Sequence, residues 1–344
     1  MKTKARIIIA IICVIAMALP IIYYGTTLST KPTETTATTA ATTAVRKTIR
    51  IAALKGPTGI GLVKLMADQE TGKTSNDYQF SLHGDPNEIV AQLSNGQVDI
   101  AALPTNLAAV LYQKTSQKIR LLAINTLGVL YILEKGDSIK SLADLSGREI
   151  LATGQAAVPE YVLNELLAKG KLAKPATVIY KTEHSELAAL ASSGAADLVM
   201  LPEPFVTTVL SKNPDFRIAL DLTEEWQKVE SAAGSNSELS MGCLVVSDSF
   251  ARENPAALQG FLAEYRSSVD FVNASPAAAG TEVARFQIMA DAALAAKAIP
   301  NCHIVLIQGQ AMQATLEPLY EILLAANPKS IGGKLPDQAF YWVP

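Results

Sequence analysis

EIVAQLSNGQVDIAALP, at residues 88–104, occurs a second time in this chain as ELAALASSGAADLVMLP, at residues 186–202. The two copies align without a gap at a constant offset of 98 residues, and 7 of the 17 positions are identical. Composition alone gives roughly one or two identities over such a length. The identical pairs are Glu88/Glu186, Ala91/Ala189, Ser94/Ser192, Gly96/Gly194, Asp99/Asp197, Leu103/Leu201 and Pro104/Pro202. The chain therefore contains two halves built on one plan.

Each half follows an order of elements that predicts a parallel sheet. A short apolar strand leads into a glycine turn and a helix, and then into a second strand, a second helix and a third strand that ends in Leu-Pro. The register extends upstream, where Gly56 aligns with Gly154 and Arg50 with Arg148. Strands that alternate with helices form α/β units, which place ligand sites at the carboxyl ends of their strands.

Length and composition set the class of protein. The 344 residues are enough for about two domains, and 49% hydrophobic with 18% charged residues supplies sizeable cores. The net charge of −3 gives no basic surface for nucleic acid. We therefore expect a globular α/β protein that does not bind nucleic acid.

The first 48 residues differ in composition from the rest. Residues 1–24 begin with three basic residues followed by the apolar run 7–19, which is typical of an export signal. If it is not cleaved, the segment 7–24 is long enough to anchor the chain in a membrane; lipidation at Cys13 is a further alternative. Residues 25–48 are rich in Thr and Ala and predict a flexible tether. An exported protein on the outer face of a membrane fits both features.

In the first half, the candidate ligand contacts follow two predicted strands. Gly56, Pro57, Thr58 and Gly59 form a turn that opens a helix, where free backbone N–H groups favour anionic or polar ligands. The spacing is neither that of a P-loop nor GxGxxG, and a plain helix start with Pro in its first turn is the alternative.

Thr105 and Asn106 follow the strand at residues 98–103 and are the second pair of candidates. Both side chains would stand at the carboxyl end of that strand, where either could contact a ligand or cap the next helix. Asp85, which precedes Pro86, is better explained as a helix cap than as a ligand contact.

The second half supplies the matching candidates. Gly154, Gln155 and Ala156 occupy the turn that corresponds to the Gly56 turn. Glu203 follows the strand at residues 198–201, at the place of Thr105 in the first half. Its carboxylate could pair with an amino group of the ligand or cap the helix after Pro204.

Catalytic and metal-binding patterns are absent from the sequence. The three histidines, His83, His184 and His303, are far apart and form no metal-binding motif, so we expect no metal and no cofactor. No GxSxG motif occurs, and we expect no catalytic residue. Cys243 and Cys302 could form a disulfide, or each could be a buried thiol.

The order of several motifs resembles the substrate-binding proteins of ABC importers in the nitrate, sulfonate and taurine group, which includes relatives that bind thiamine precursors. The resemblance covers nearly all of residues 49–342, and Glu203-Pro204 after the strand is its most specific signature. The motifs are NGQVDIAALPTNLA, SLADLSGREI, SGAADLVMLPEP, FARENPAALQGFLAEYRSSVDFVNASP and NPKSIGGKLPDQAFYW.

This resemblance implies a type II periplasmic-binding fold, an α/β architecture of two lobes joined by two crossing strands. Lobe one would comprise residues 49–133 and 247–344, and lobe two residues 134–246, with hinges near residues 131–137 and 241–246. The ligand would lie between the lobes, against the ten candidate contacts named above.

The function implied is that of an extracytoplasmic solute-binding component, not an enzyme. It would act as a monomer, capture a small oxyanion or zwitterion such as a sulfonate, taurine or a thiamine precursor, and deliver it to an ABC permease and ATPase. Two alternatives stay open, an enzyme on the same fold that resembles chorismate dehydratase and an exported domain that senses a ligand.

Overall fold

A computed structural model describes residues 46–343, whose strands form two separate sheets. The first sheet has six strands in the order β11-β4-β10-β3-β1-β2. Strands β1, β2 and β3 are parallel, while β10 runs antiparallel to β3 and β4. The six strands are β1 (Thr48–Leu54), β2 (Asp77–His83), β3 (Ile100–Pro104), β4 (Ile119–Leu127), β10 (Ser240–Ser247) and β11 (Ile304–Ile307).

The second sheet has five strands in the order β7-β6-β8-β5-β9. Here β6 is parallel to β7 and β8, and β5 runs antiparallel to β8 and β9. The five strands are β5 (Leu130–Lys135), β6 (Glu149–Thr153), β7 (Thr177–Lys181), β8 (Leu198–Pro202) and β9 (Phe216–Asp221). We call each sheet with the helices that connect its strands a lobe.

The helices of the first lobe come from both ends of the described chain, and those of the second lobe come from its middle. The first lobe holds α1 (Pro57–Ile60), α2 (Val63–Glu70), α3 (Pro86–Ser94), α4 (Thr105–Lys114), α9 (Asp248–Glu253), α10 (Pro255–Ala274), α11 (Pro276–Arg285), α12 (Ala292–Ala298) and α13 (Gly309–Ala326). The second lobe holds α5 (Val158–Lys169), α6 (His184–Ser193), α7 (Phe205–Lys212) and α8 (Leu222–Ala232).

The repeat predicted from the sequence is a structural repeat. Strand β8 begins and ends 98 residues after β3, and α6 begins 98 residues after α3. The parallel triplets β2-β1-β3 and β7-β6-β8 have the same strand order within their sheets. The two lobes therefore carry equivalent βα turns at equivalent strand ends.

The crossings between the lobes lie at slightly different residues from those expected. Strand β5 belongs to the second sheet and β10 to the first, so the chain crosses at Gly128 and Val129 and again before Ser240. At the first crossing, a Cβ on Gly128 would lie only 2.2 Å from Thr223 Oγ1, which requires glycine there.

Three clusters of buried apolar side chains form the cores. One lies on the far face of the first sheet and one on the far face of the second. The third is shared by both lobes, because Tyr112 of α4, Leu163 of α5, Trp226 of α8 and Leu319 of α13 belong to it. Cys243 and Cys302 are both buried free thiols, the second of the two alternatives.

The compact unit begins at Arg46, whose guanidinium lies 2.9 Å from the Asp77 carboxylate, and Thr48 already pairs with Asp77 in β1. Within residues 46–343, no helix has the length and apolar character needed to cross a membrane. The predicted export segment 1–24 and all but the end of the predicted tether 25–48 lie outside the described residues.

The buried carboxylate of Glu134, near the end of β5, binds the residues that follow this strand and a side chain of β9. Its side chain is 1% exposed and accepts hydrogen bonds from the backbone N–H groups of Ser138 (2.6 Å) and Ile139 (3.0 Å). Arg217 of β9 donates to the same carboxylate at 2.8 Å. These donors keep the pKa of Glu134 below its usual value despite burial.

We expect Glu134→Gln to lower the free energy of unfolding by about 3 kcal/mol, because the amide leaves Arg217 without its buried partner and presents N–H groups to backbone donors. Urea unfolding would measure this. Asp137→Asn is the matched control, since Asp137 contacts the same guanidinium at 3.1 Å but is 74% exposed; its effect should be much smaller. Equal losses for the two variants would contradict the assignment.

Candidate functional site

A cavity of about 320 Å³ lies between the two lobes, at the carboxyl ends of the parallel strands. Turns after β1 and β2 line it from the first lobe, and turns after β6, β7 and β8 line it from the second. Residues from the two crossings complete the wall. The lining residues are 54–58, 84–87, 104, 126, 129–130, 154–155, 157, 159, 180–184, 202–203, 205 and 241–242.

The turn after β1 brings backbone to the cavity surface. Gly56 has φ +149° and ψ −159°, a conformation that only glycine adopts readily, and its carbonyl accepts from the N–H groups of Gly59 and Ile60. Gly59 serves packing, because a Cβ there would lie 2.5 Å from the Leu54 carbonyl oxygen. Glycines thus allow α1 to start directly against β1.

Six of the ten residues predicted from the sequence line this cavity. They are Gly56, Pro57, Thr58, Gly154, Gln155 and Glu203. The other four, Gly59, Thr105, Asn106 and Ala156, do not line it.

Thr105 and Asn106 are fully buried and bond to backbone rather than capping α4. The Thr105 hydroxyl donates to the Ser240 carbonyl at 2.5 Å. Ala156 has φ +61°, a left-handed conformation that is rare for a residue with a side chain.

Asn106 links the two lobes behind the cavity. Its amide nitrogen donates to the carbonyl oxygens of Ala156 and Ser330, both at 3.2 Å. Its amide oxygen accepts from the Val158 N–H at 3.1 Å. One buried side chain from the first lobe therefore satisfies two backbone groups at the start of α5 in the second.

Glu203 caps helix α7, which is one of the two roles predicted from the sequence, and it also lines the cavity. Its side chain is 2% exposed. Its two carboxylate oxygens accept from the Thr207 N–H (3.0 Å) and the Thr207 hydroxyl (2.8 Å) in the first turn of α7. Burial raises its pKa, and within residues 46–343 no lysine or arginine forms an ion pair with it.

The turn after β7 is the part of the cavity that the sequence argument missed. Residues 180–184 all line the cavity, as does Phe205. The 98-residue offset could have identified this turn from the sequence, because it aligns Gly84, Asp85 and Pro86 with Thr182, Glu183 and His184. All six of these residues line the cavity.

His184 is held by two contacts in this wall. Its Nδ1 lies 2.7 Å from the Thr153 hydroxyl oxygen, and its ring centroid lies 5.2 Å from that of Phe205. Burial lowers the pKa of His184 to about 4 because the charged imidazolium loses its hydration. The ring is therefore neutral at physiological pH.

The charged residues of the wall differ in what already compensates them. Asp85 caps α3 by accepting from the Asn87 N–H at 2.8 Å, as the sequence predicted, and Lys181 pairs with Glu186 at 3.1 Å. Lys55 is exposed at the rim, and no carboxylate of the described residues lies within ion-pair distance of it.

The two rims of the cavity approach each other at Gly84 and Glu183. A Cβ built on Gly84 would lie 3.6 Å from Glu183 Oε2, across the boundary between the lobes. This distance is an ordinary van der Waals contact, so the mouth is narrow at this point. Among residues 46–343, no group of three or more His, Cys, Asp or Glu side chains is arranged to hold a metal ion.

We expect Asn106→Leu to lower the free energy of unfolding by about 3 kcal/mol, because it removes two buried hydrogen bonds and one partly buried one, and leaves their backbone partners unpaired. Urea unfolding would measure the loss. Asn95→Leu, at an exposed helix end with no side-chain hydrogen bond among the described residues, should change stability by less than about 0.5 kcal/mol. A loss below 1 kcal/mol for Asn106→Leu would show that these bonds matter little.

The low pKa of His184 predicts a loss of stability in acid. An unfolded histidine titrates near pH 6.5, so the unfolded state binds more protons than the folded state between that pH and about 4. Stability is therefore full above pH 6.5 and falls as the pH drops through this window. From pH 7.5 to 5 the contribution of His184 should decline by about 2 kcal/mol.

Unfolding free energies of the wild type and His184→Gln at both pH values would isolate this contribution. The variant should lack the additional 2 kcal/mol decline, because its amide does not titrate. Parallel pH profiles would contradict the assignment.

The chain is similar to known proteins in sequence and in structure. The family model described as ABC transporter, phosphonate, periplasmic substrate-binding protein matches residues 68–294. This range is 227 of the 344 residues. No curated protein is similar enough in sequence to count as a match.

Solved structures share the fold at low sequence identity. An ABC transporter from Parabacteroides distasonis is 22% identical with a TM-score of 0.72, covering 86% of this chain and 99% of that one. The periplasmic aliphatic sulphonate binding protein SsuA from Escherichia coli is 17% identical with a TM-score of 0.66, covering 87% and 92%. The desulfurization enzyme DSZB is 13% identical with a TM-score of 0.57, covering 82% and 93%.

The periplasmic-binding fold predicted from the sequence is confirmed by these neighbours, and the resemblance to ABC substrate-binding proteins is confirmed by the family match. The desulfurization enzyme shows that the same fold also carries catalysis in another protein. With two thirds of its length matched by one family, this chain belongs to the periplasmic substrate-binding proteins of ABC transporters described by the phosphonate family model.

Proposed function

We propose that this protein captures a small oxyanion or zwitterion in the cavity between its lobes and delivers it to an ABC permease and its ATPase. The observation that carries the proposal is the cavity itself, which turns from both lobes enclose. A ligand that touches both walls stabilises the closed arrangement over an open one, because only differential contacts shift such an equilibrium. The permease would then recognise the closed form.

The wall favours a polar ligand with acidic oxygens. Helices α3, α5, α6 and α7 all begin at lining residues or next to them, and helix starts carry partial positive charge. Gly56, Gly154 and Gln155 bring backbone close to the same space. Glu203, which forms no ion pair with a lysine or arginine of the described chain, would suit an amino group, so a zwitterion such as taurine belongs to the proposed class.

The size of the cavity limits the ligand. A volume of about 320 Å³ lies at the lower end of the range for small-molecule sites, about 300 to 1,000 Å³. Pro57, Val129, Phe205 and Met241 add apolar surface beside the polar groups. The proposed ligand is thus a compact molecule with a short apolar portion.

The proposal includes export and a role on the outer face of the cytoplasmic membrane. The family is periplasmic, and the export segment predicted at residues 1–24 supplies the route. Closure would rotate the lobes about the crossings at Gly128–Val129 and before Ser240, with the shared apolar cluster behind them.

Native mass spectrometry of the purified full chain tests the proposal directly. A small molecule retained at one per chain and released unchanged would support the transport role. A chemically converted molecule would favour an enzyme on this fold. No retained molecule together with no saturable binding of sulfonates, phosphonates or taurine would overturn the proposal.

Calorimetric titration with ethanesulfonate supplies a residue-level prediction. Lys55→Gln should raise the Kd about fivefold, because the variant loses about 1 kcal/mol of attraction at the rim of the cavity. Lys73→Gln removes a similarly exposed ammonium group outside the cavity and should leave the Kd unchanged. Equal affinities for both variants would exclude Lys55 from the proposed site.

A further inference from the structure

One hydrogen-bonding group in the second lobe's wall has no assigned use. His184 lines the cavity and bonds to Thr153 through Nδ1. Its Nε2 has no hydrogen-bond partner among the described residues and is not one of their fully buried unpaired atoms, so this nitrogen is accessible to a ligand. The Tyr180 hydroxyl in the same wall is fully buried and lies out of a ligand's reach.

The Thr153 contact determines which ring nitrogen of His184 carries the proton. Thr153 is fully buried, and its hydroxyl has no other hydrogen-bond partner among residues 46–343. If Nδ1 were protonated, it would donate to the hydroxyl oxygen and leave the hydroxyl proton without an acceptor. If the hydroxyl donates to an unprotonated Nδ1, both groups are satisfied and the ring proton lies on Nε2.

Charge and packing support the same arrangement. Burial lowers the pKa of His184 to about 4, so the ring has a single proton to place. Phe205 packs against the imidazole at 5.2 Å between centroids and restricts its rotation.

We propose that His184 is a neutral hydrogen-bond donor that binds a proton-free acceptor oxygen of the ligand, with Thr153 fixing it as the Nε2–H tautomer. This inference rests on the proposed function, because it assigns a role inside the same cavity. Thr153 is a positioning residue in it, since it acts only through the ring. A neutral ring N–H favours the oxygens of a deprotonated acid, and a protonated ring nitrogen has no lone pair that could accept from an ammonium group.

Long-range ¹H–¹⁵N correlation NMR of the full chain at pH 7 tests the tautomer without any added molecule. The chain has three histidines, so the spectrum of His184→Phe assigns the His184 signals by their loss. We expect the Nε2–H pattern in the wild type and a mixture of tautomers in Thr153→Val. An Nδ1–H pattern, or a mixture already in the wild type, overturns the inference.

Calorimetric titration with ethanesulfonate, and separately with methylphosphonate, tests whether His184 donates a hydrogen bond to the ligand. His184→Phe keeps an aromatic ring beside Phe205 and should raise the Kd at least tenfold. The matched control is His83→Phe, whose ring lies outside the cavity lining and bonds to Glu88; its Kd should equal that of the wild type.

The outcomes separate this inference from the proposed function. Wild-type binding that His184→Phe leaves unchanged overturns the donor role of His184 while the transport proposal stands. If neither probe binds to the wild type, the result counts against an oxyanion ligand, and the proposed donor role of His184 is overturned with it. Circular dichroism and urea unfolding of each variant would show whether a lost affinity reflects a folded protein.

Discussion

A parallel strand followed by a helix obliges the chain to turn at the carboxyl end of the strand, and the rest of this structure depends on that constraint. The turns after β1 and β2 lie at one edge of the first sheet, and those after β6 and β7 lie at one edge of the second. Because the two edges face each other, every repeated turn contributes to the same cavity. The ligand site is therefore a consequence of the strand order, and individual side chains only adjust it.

The internal repeat explains how much of this arrangement the sequence predicts. Equal offsets for β3/β8 and α3/α6 appear in the sequence as aligned Glu, Gly, Asp and Leu-Pro positions. Apolar periodicity and glycine position are local properties, so the two α/β lobes and the turns at Gly56 and Gly154 could be recognised without coordinates. The turn at residues 182–184 obeys the same offset, but its residues differ in type from residues 84–86, and type alone did not identify it.

What the sequence could not supply is the direction of side chains after a strand end. Thr105, Asn106 and Glu203 all follow strands of the repeat, yet Glu203 faces the cavity while Thr105 and Asn106 point into the interior. The difference depends on partners distant in the chain, since Asn106 bonds to Ala156 and Ser330. Likewise, long-range pairing decides that β5 belongs to the second sheet and β10 to the first, and no local sequence pattern predicts this pairing.

The carboxylates in the wall do not by themselves exclude an anionic ligand. Asp85 accepts from the first turn of α3, and Glu203 accepts from Thr207 in the first turn of α7. Each negative charge is thus offset in part by the positive end of a helix, and a raised pKa further reduces the charge at Glu203. Burial also makes His184 neutral, because it lowers the pKa of the imidazolium. The strong charges left to act on a ligand are then those nearest solvent, at Lys55 and Glu183.

The orientation of a ligand inside the cavity must therefore come mainly from hydrogen bonds. Such bonds distinguish the donor groups of a ligand from its acceptor groups, so they favour a compact polar molecule whose two ends differ.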